Sequence, residues 1–363
     1  MFHVFLFIAG LVALVLGANV LVRGASKLAL SFGISPLVVG LTIVALGTSA
    51  PEIAVSVASV LEGKTDMAVG NVVGSNIFNV LFILGLSALI VPLVVHRQLI
   101  RQEVPIMFGV TLLMALMVMD GQLQLWESVA LVVLLLAYTA FLVLQSRRES
   151  ATNRAQDAPA DEYEAELKAS PPGAWDSKLP AQLALMGVGL VLLVWGSDWL
   201  VTAAVFFAKA LGVSDVVIAL TIVAAGTSMP EVATSITAAL KGERDIAVGN
   251  VVGSNIFNIL GCLGLSGLVA GGAGLAVAPS LLVFDMWVML AVALACLPMF
   301  ITDGEIARWE GGVFVAYYVA YVTYLILAAQ QHDALGAFSN VMLGFVLPLT
   351  LITLLVSVVR RRD

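Results

Sequence analysis

Apolar stretches of about 20 residues recur from one end of the chain to the other, separated by short polar turns. A helix of about 20 apolar residues crosses a hydrocarbon core of about 30 Å. The pattern therefore predicts spans near 4–22, 36–61, 67–91, 104–119, 124–144, 181–204, 214–240, 246–270, 281–301, 311–330 and 338–359, eleven in all. The expected fold is an all-α polytopic membrane protein. The one long polar stretch, RRESATNRAQDAPADEYEAELKASPPGAWDSK over 147–178, reads as a flexible surface linker. It sets the expected division: a first five-span half over 1–146, the linker, a second five-span half over 179–332, and an additional C-terminal span within 333–363. The opening MFHVFLFIAGLVALVLGANVLV lacks a basic leader region and runs too long for a signal core, so it reads as a first span.

Composition agrees with the pattern. Hydrophobic residues make up 61% of the chain and charged residues 11%, with a mean hydropathy of +1.05, against roughly a quarter charged in a soluble domain. A net charge of −7 argues against a nucleic-acid partner, because phosphate binding needs a clustered basic surface. Cys262 and Cys296 both fall inside apolar spans and read as buried thiols. Lys and Arg favour cytoplasmic loops. Placing the N-terminus outside puts Arg23, Lys27, Arg97, Arg101, Arg147, Arg148, Lys168, Lys178, Lys241, Arg244, Arg308 and Arg360 to Arg362 on the cytoplasmic side, with only Lys64 and Lys209 opposite. The expected location is the cell (inner) membrane, with the linker and C-terminus cytoplasmic.

The strongest signal is self-similarity. LTIVALGTSAPEIAVSVASVLEGKTDMAVGNVVGSNIFNVLFILGLS, from Leu41, recurs without a gap as LTIVAAGTSMPEVATSITAALKGERDIAVGNVVGSNIFNILGCLGLS, from Leu220, and about two-thirds of the aligned residues are identical. The match keeps Gly, Thr, Ser, Pro, Glu, Asp and Asn, which a lipid-facing helix avoids. Corresponding spans are five crossings apart, an odd number, so the second copy is expected to run opposite to the first. Inverted repeats with interrupted helices mark secondary transporters, whose site lies at the repeat interface.

Within one copy, Pro51 cannot donate to the Gly47 carbonyl and crowds it, so the helix must kink or unwind at Gly47-Thr48-Ser49-Ala50-Pro51-Glu52. The freed carbonyl is costly in lipid unless satisfied, and a cation can satisfy it. Thr48, Ser49 and Glu52 are spaced to share one face. Gly226, Thr227, Ser228, Pro230 and Glu231 repeat the arrangement, and two matched intramembrane glutamates point to function. In the following helix Asn71, Ser75 and Asn79 form a polar stripe, as do Asn250, Ser254 and Asn258. Gly70 and Gly74 also form a GxxxG pair, so close helix packing competes with chemistry as the reason for Asn71 and Asn250. Two carboxylates with hydroxyl, amide and carbonyl oxygens give an all-oxygen shell of charge about −2, which suits a hard cation taking about 6–8 oxygens, Ca²⁺ first. His3, His96 and His332 all sit at span ends, which weakens zinc, copper and nickel readings.

GTSAPE, GTSMPE and two copies of GNVVGSNIFN resemble the alpha repeats of the Ca²⁺/cation antiporter superfamily, specifically the prokaryotic Na⁺/Ca²⁺ exchangers, and the resemblance covers nearly all of the first ten spans. It implies two inverted five-helix halves, four ion sites between the second, third, seventh and eighth spans, and alternating access by sliding of the first and sixth. It implies Glu52 and Glu231 as central Ca²⁺ ligands, with Thr48 and Thr227 contributing backbone carbonyls and Asn79 and Asn258 completing the centre. Ser49, Ser75, Ser228 and Ser254, with the Ala45 and Ala224 carbonyls, would form flanking Na⁺ sites. Two departures stand out. Asn258 replaces an Asp found in some relatives, which lowers the charge and leaves the number of Na⁺ per cycle open, and the eleventh span exceeds the usual ten.

The expected activity is Ca²⁺/Na⁺ antiport with no cofactor and no enzymatic step; Ca²⁺, Na⁺ and the bilayer are the expected partners, and the oligomeric state is open. Ca²⁺/H⁺ antiport is the near alternative, since protonating both glutamates neutralises the cavity too, but it leaves the flanking hydroxyls less to do. A cation channel fits matched inverted repeats less well. A hydrolase using Ser49 or Ser228 lacks a G-x-S-x-G elbow and a general base at their depth.

Overall fold

The computed structural model describes residues 1–32, 34–153, 176, 178–218, 221–222 and 224–360. Among these, nine unbroken helices are long and apolar enough to cross a membrane: α1 (Phe2–Phe32), α4 (Thr65–Ile90), α5 (Leu99–Asp120), α6 (Leu125–Ser146), α7 (Leu179–Ala210), α9 (Arg244–Ala273), α10 (Leu281–Phe300), α11 (Arg308–Ala329) and α12 (Ala334–Thr353). A tenth crossing is the pair α2 (Pro36–Thr48) and α3 (Ala50–Leu61), bent by 40°. The span expected over 214–240 is present as Asp215–Ile218, Ala224–Gly226 and α8 (Met229–Leu240). Both of these crossings are interrupted at the Thr-Ser-x-Pro motif, where the prolines were expected to break them.

The break has a local cause. Pro51 and Pro230 fall in the first turn of α3 and α8, where a missing N–H costs nothing. Ser49 (φ −80°, ψ 4°) and Ser228 (φ −88°, ψ 8°) leave helical geometry just before them. Each short helix then ends at a left-handed glycine, Gly63 (φ 77°) or Gly242 (φ 81°). There the next amide reaches back five residues, Lys64 N to Ser59 O and Glu243 N to Ala238 O. The chain can therefore reverse into α4 and α9 within a few residues.

Two short antiparallel pairs tie the halves together. β1 (Leu93–Val94), after α4, pairs with β4 (Glu305–Ile306), before α11. β2 (Gln122–Leu123), before α6, pairs with β3 (Leu275–Ala276), after α9. Exchanging one half for the other turns each pair into its counterpart. Buried carboxylates repeat in the same way: Tyr138 donates to Glu103 and Tyr321 to Asp285, both at 2.7 Å.

α1 and α7 pack along their length with backbone nearly touching backbone. A Cβ on Gly17 would stand 2.8 Å from the Gly189 carbonyl oxygen, and one on Gly10 would stand 2.8 Å from that of Gly196. Small residues permit this approach in a membrane. At the periphery, α12 buries none of its most apolar window; Tyr317 reaches its Val346 carbonyl at 3.5 Å.

The polar stretch departs from expectation at both ends. Helix continues from Leu125 through Asn153, and Asp176 is buried, accepting from Arg23 of α1 at 2.6 Å; residues 154–175 lie outside the described part.

Candidate functional site

The structure brings the two broken helices together at the centre of the molecule. Glu52 and Glu231 are both 0% exposed, each in the first turn of its half-helix, where the aligned amides favour negative charge. Equal spacing in both copies suggests that Ser49 serves Glu52, but the pairing crosses between halves. Ser49 Oγ donates to Glu231 Oε1 at 3.1 Å, and Ser228 Oγ donates to Glu52 Oε1 at 2.8 Å. Neither glutamate forms a salt bridge with a described Lys or Arg.

Four amides build the floor. Asn79 Nδ2 donates to Asn255 Oδ1 and Asn258 Nδ2 to Asn76 Oδ1, both at 3.0 Å; Asn76 and Asn255 also donate to each other's backbone carbonyl, at 3.2 and 3.4 Å. This ring locks α4 to α9 and turns the Asn79 and Asn258 amides so that their Oδ1 atoms are left over. Each of these two residues opens a wide π-helical turn, Asn79–Leu84 and Asn258–Leu263, a distortion common at functional sites. Asn76 and Asn255 escape a reading based on four-residue stripes, because each sits one position off the stripe. Their signal is that both copies keep an amide inside an apolar run.

Several buried oxygens have no hydrogen-bond partner: Glu52 Oε2, Glu231 Oε2, Asn79 Oδ1, Asn258 Oδ1 and the hydroxyls of Ser75, Ser254 and Thr227. In a low-dielectric interior an unsatisfied carboxylate oxygen costs several kcal/mol. Evolution tolerates such a set where a ligand completes it. All of these atoms accept, as a hard cation requires.

The remaining expected residues fall as follows. Ala45 is fully buried in the last turn before the break, and Ala224 begins the short helix Ala224–Gly226. Gly47 and Gly226 lie against α7, where a Cβ would stand 2.8 Å from the Leu190 side chain or 2.7 Å from that of Val201. The carbonyl freed by Pro230 is already satisfied, because Ser197 of α7 donates to Gly226 O at 2.6 Å; it is no open ligand position. Cys262, a free buried thiol as expected, donates to the Glu52 carbonyl at 3.4 Å.

Fold and site define a polytopic helical membrane protein with a buried carboxylate centre between two repeated halves, the construction of secondary transporters. Residues 2–144 and 181–327 match the sodium/calcium exchanger protein family, and the chain belongs to it. It is 40% identical over 330 residues to the putative antiporter CaxA of Alkalimonas amylolytica, covering 89% of this chain and 98% of that one. It is 35% identical over 346 residues to the sodium/calcium exchanger MaX1 of Methanosarcina acetivorans, covering 87% and 96%. Among solved structures it resembles the sodium–calcium exchanger NCX_Mj soaked with Na⁺ and Sr²⁺, with a TM-score of 0.73 and 29% identity over 89% of this chain and 98% of that one.

Proposed function

We propose that this protein exchanges Ca²⁺ for Na⁺ across the cell membrane by alternating access, with Glu52 and Glu231 shared by both ions. The observation that carries the reading is the set of unpartnered buried acceptors, Glu52 Oε2, Glu231 Oε2, Asn79 Oδ1 and Asn258 Oδ1. With the Thr48 and Thr227 carbonyls they supply the oxygens a Ca²⁺ shell needs. Ser49, Ser75, Ser228 and Ser254, with the Ala45 and Ala224 carbonyls, fit smaller flanking Na⁺ sites. Since either load neutralises the same carboxylates, each ion displaces the other. The names of the relatives agree with this substrate pair.

The charge bias places the N-terminus outside and the polar stretch and C-terminus in the cytoplasm. In that orientation the β1·β4 pair lies on the cytoplasmic side and the β2·β3 pair outside, which is what two inverted halves require. The division at 146, 178 and 332 belongs to the same reading. The test is ⁴⁵Ca²⁺ uptake into proteoliposomes loaded with Na⁺, K⁺, choline or acid. Uptake that requires internal Na⁺ is expected. Uptake driven by a proton gradient alone moves the assignment to Ca²⁺/H⁺ antiport, and uptake indifferent to internal ions excludes an antiporter.

A further inference from the structure

Asn71 and Asn250 occupy matched positions, and the structure treats their carboxamide nitrogens alike. Asn250 Nδ2 donates to Ser235 Oγ at 2.9 Å and to the Glu231 carbonyl at 3.5 Å. Asn71 Nδ2 donates to Ser56 Oγ at 3.0 Å and to the Glu52 carbonyl at 3.4 Å. Each amide is thereby fixed to the half-helix that carries the glutamate of its own repeat. The Oδ1 of Asn250 is presented to the other half.

There the symmetry ends. Asn250 Oδ1 accepts from Thr48 Oγ1 at 3.0 Å. The corresponding donor, Thr227 Oγ1, is buried without a hydrogen-bond partner, and among the described residues no donor reaches Asn71 Oδ1. The bond that is made accompanies close packing: Asn250 is 0% exposed, and a Cβ on neighbouring Gly253 would stand 2.7 Å from the Leu41 carbonyl of α2. Where the bond is missing, the packing is looser. Asn71 and Gly74 are half-buried, whereas Asn250 and Gly253 are buried.

We propose that Asn71 and Asn250 are positioning residues that act as alternating latches: Thr48 closes on Asn250 when one side of the site is shut, and Thr227 closes on Asn71 when the other is. Each latch joins the last residues of the segment before the break to a helix that carries site amides. Closure is therefore read at the glutamate, because the same asparagine holds the glutamate's backbone carbonyl. The threonine hydroxyls serve the latch, which leaves their backbone carbonyls to the ions. The inference rests on two-sided access to the site, and its test measures that access without measuring flux.

Single cysteines at Thr42 and Thr221, matched positions on the two segments, report each side in a background carrying Cys262→Ser and Cys296→Ala. Both threonine hydroxyls bond only their own helix, to Val38 O and Val217 O at 2.6 Å. Labelling by a membrane-impermeant methanethiosulfonate is followed from both sides of sealed vesicles in choline buffer. Thr48→Val is expected to raise labelling at position 42 about fivefold, the population change one hydrogen bond supplies, and to lower it at position 221. Thr48→Ser is expected to restore the wild-type pattern. Thr227→Val, which removes no hydroxyl bonded to Asn71 in this structure, is expected to shift labelling the other way. Changes of the same sign at both cysteines, no change, or failure of Thr48→Ser to restore the pattern would overturn the proposal.

Discussion

The half-helices α3 and α8 share the Pro-Glu start and the same role, yet they live in different surroundings. Val55 on α3 is 43% exposed, while its counterpart Thr234 on α8 is 0% exposed. α1 packs along α8, whereas α7 has scarcely any packing against α3 among the described residues. The difference continues before each break: Val38 and Thr42 of α2 are buried, while their counterparts Val217 and Thr221 are half-buried. One sequence motif thus occurs in a closed and an open environment within a single molecule. Packed interfaces have discrete arrangements, and two copies of one motif in two arrangements make a bistable device. In the orientation argued above, the open side is the outside.

The largest expected effect that breaks the comparison concerns its glycines. Gly253→Val puts a side chain against the α2 backbone and is expected to cost about 2–3 kcal/mol of stability, while Gly74→Val costs less than about 1. Yet Gly74→Val is expected to abolish exchange, because it obstructs the closure that Gly253 already makes. Thermal unfolding and flux together check the pair; equal destabilisation by both would erase the asymmetry.

Ser49→Ala and Ser228→Ala test what the halves share. Both serine-to-carboxylate bonds are made across the interface, so each change is expected to raise the Ca²⁺ half-saturation by a similar factor, about tenfold for a charge-assisted bond. A large effect from one serine alone would show that the centre is as asymmetric as its surroundings. Ser197→Ala leaves the buried Gly226 carbonyl unpaired and is expected to cost about 1 kcal/mol of stability, read by thermal unfolding, with little change in Ca²⁺ half-saturation. Its matched residue on α1 is Ala18, which has no hydroxyl to lose.

The smallest effect lies at the edge. The Arg23 hydrogen bond holds the Asp176 carboxyl below its ordinary value. An unfolded aspartate titrates near about 3.9, so this bond stabilises the fold above that pH and its contribution fades as pH falls through the lower folded value. With Arg23 half-exposed, Asp176→Asn is expected to cost less than about 1 kcal/mol near neutral pH, with the difference vanishing in acid. Denaturation measured across pH checks it.

Much of this was legible in the sequence because the chemistry offends the solvent. Glu52, Glu231 and the asparagines stand out in an apolar chain, and their recurrence places them at one interface. What the sequence hid was partnership. Ser49 is spaced equally well for Glu52, and only the fold sends it to Glu231. Asn76 and Asn255 were hidden because each sits one position off its four-residue stripe. Ser197 was hidden because the carbonyl it satisfies belongs to another span. The asymmetry was hidden because the site motifs, Gly-Thr-Ser-x-Pro-Glu and GNVVGSNIFN, are the same in both copies.

The central claim is that Ca²⁺ and Na⁺ compete for one set of oxygens on Glu52 and Glu231. The most direct measurement is equilibrium ⁴⁵Ca²⁺ binding to purified protein titrated with Na⁺, for the wild type, Glu52→Gln and Glu231→Gln. The account predicts saturable Ca²⁺ binding that Na⁺ displaces cooperatively and that either substitution abolishes. Ca²⁺ binding that survives both substitutions, or that Na⁺ leaves untouched, would contradict it.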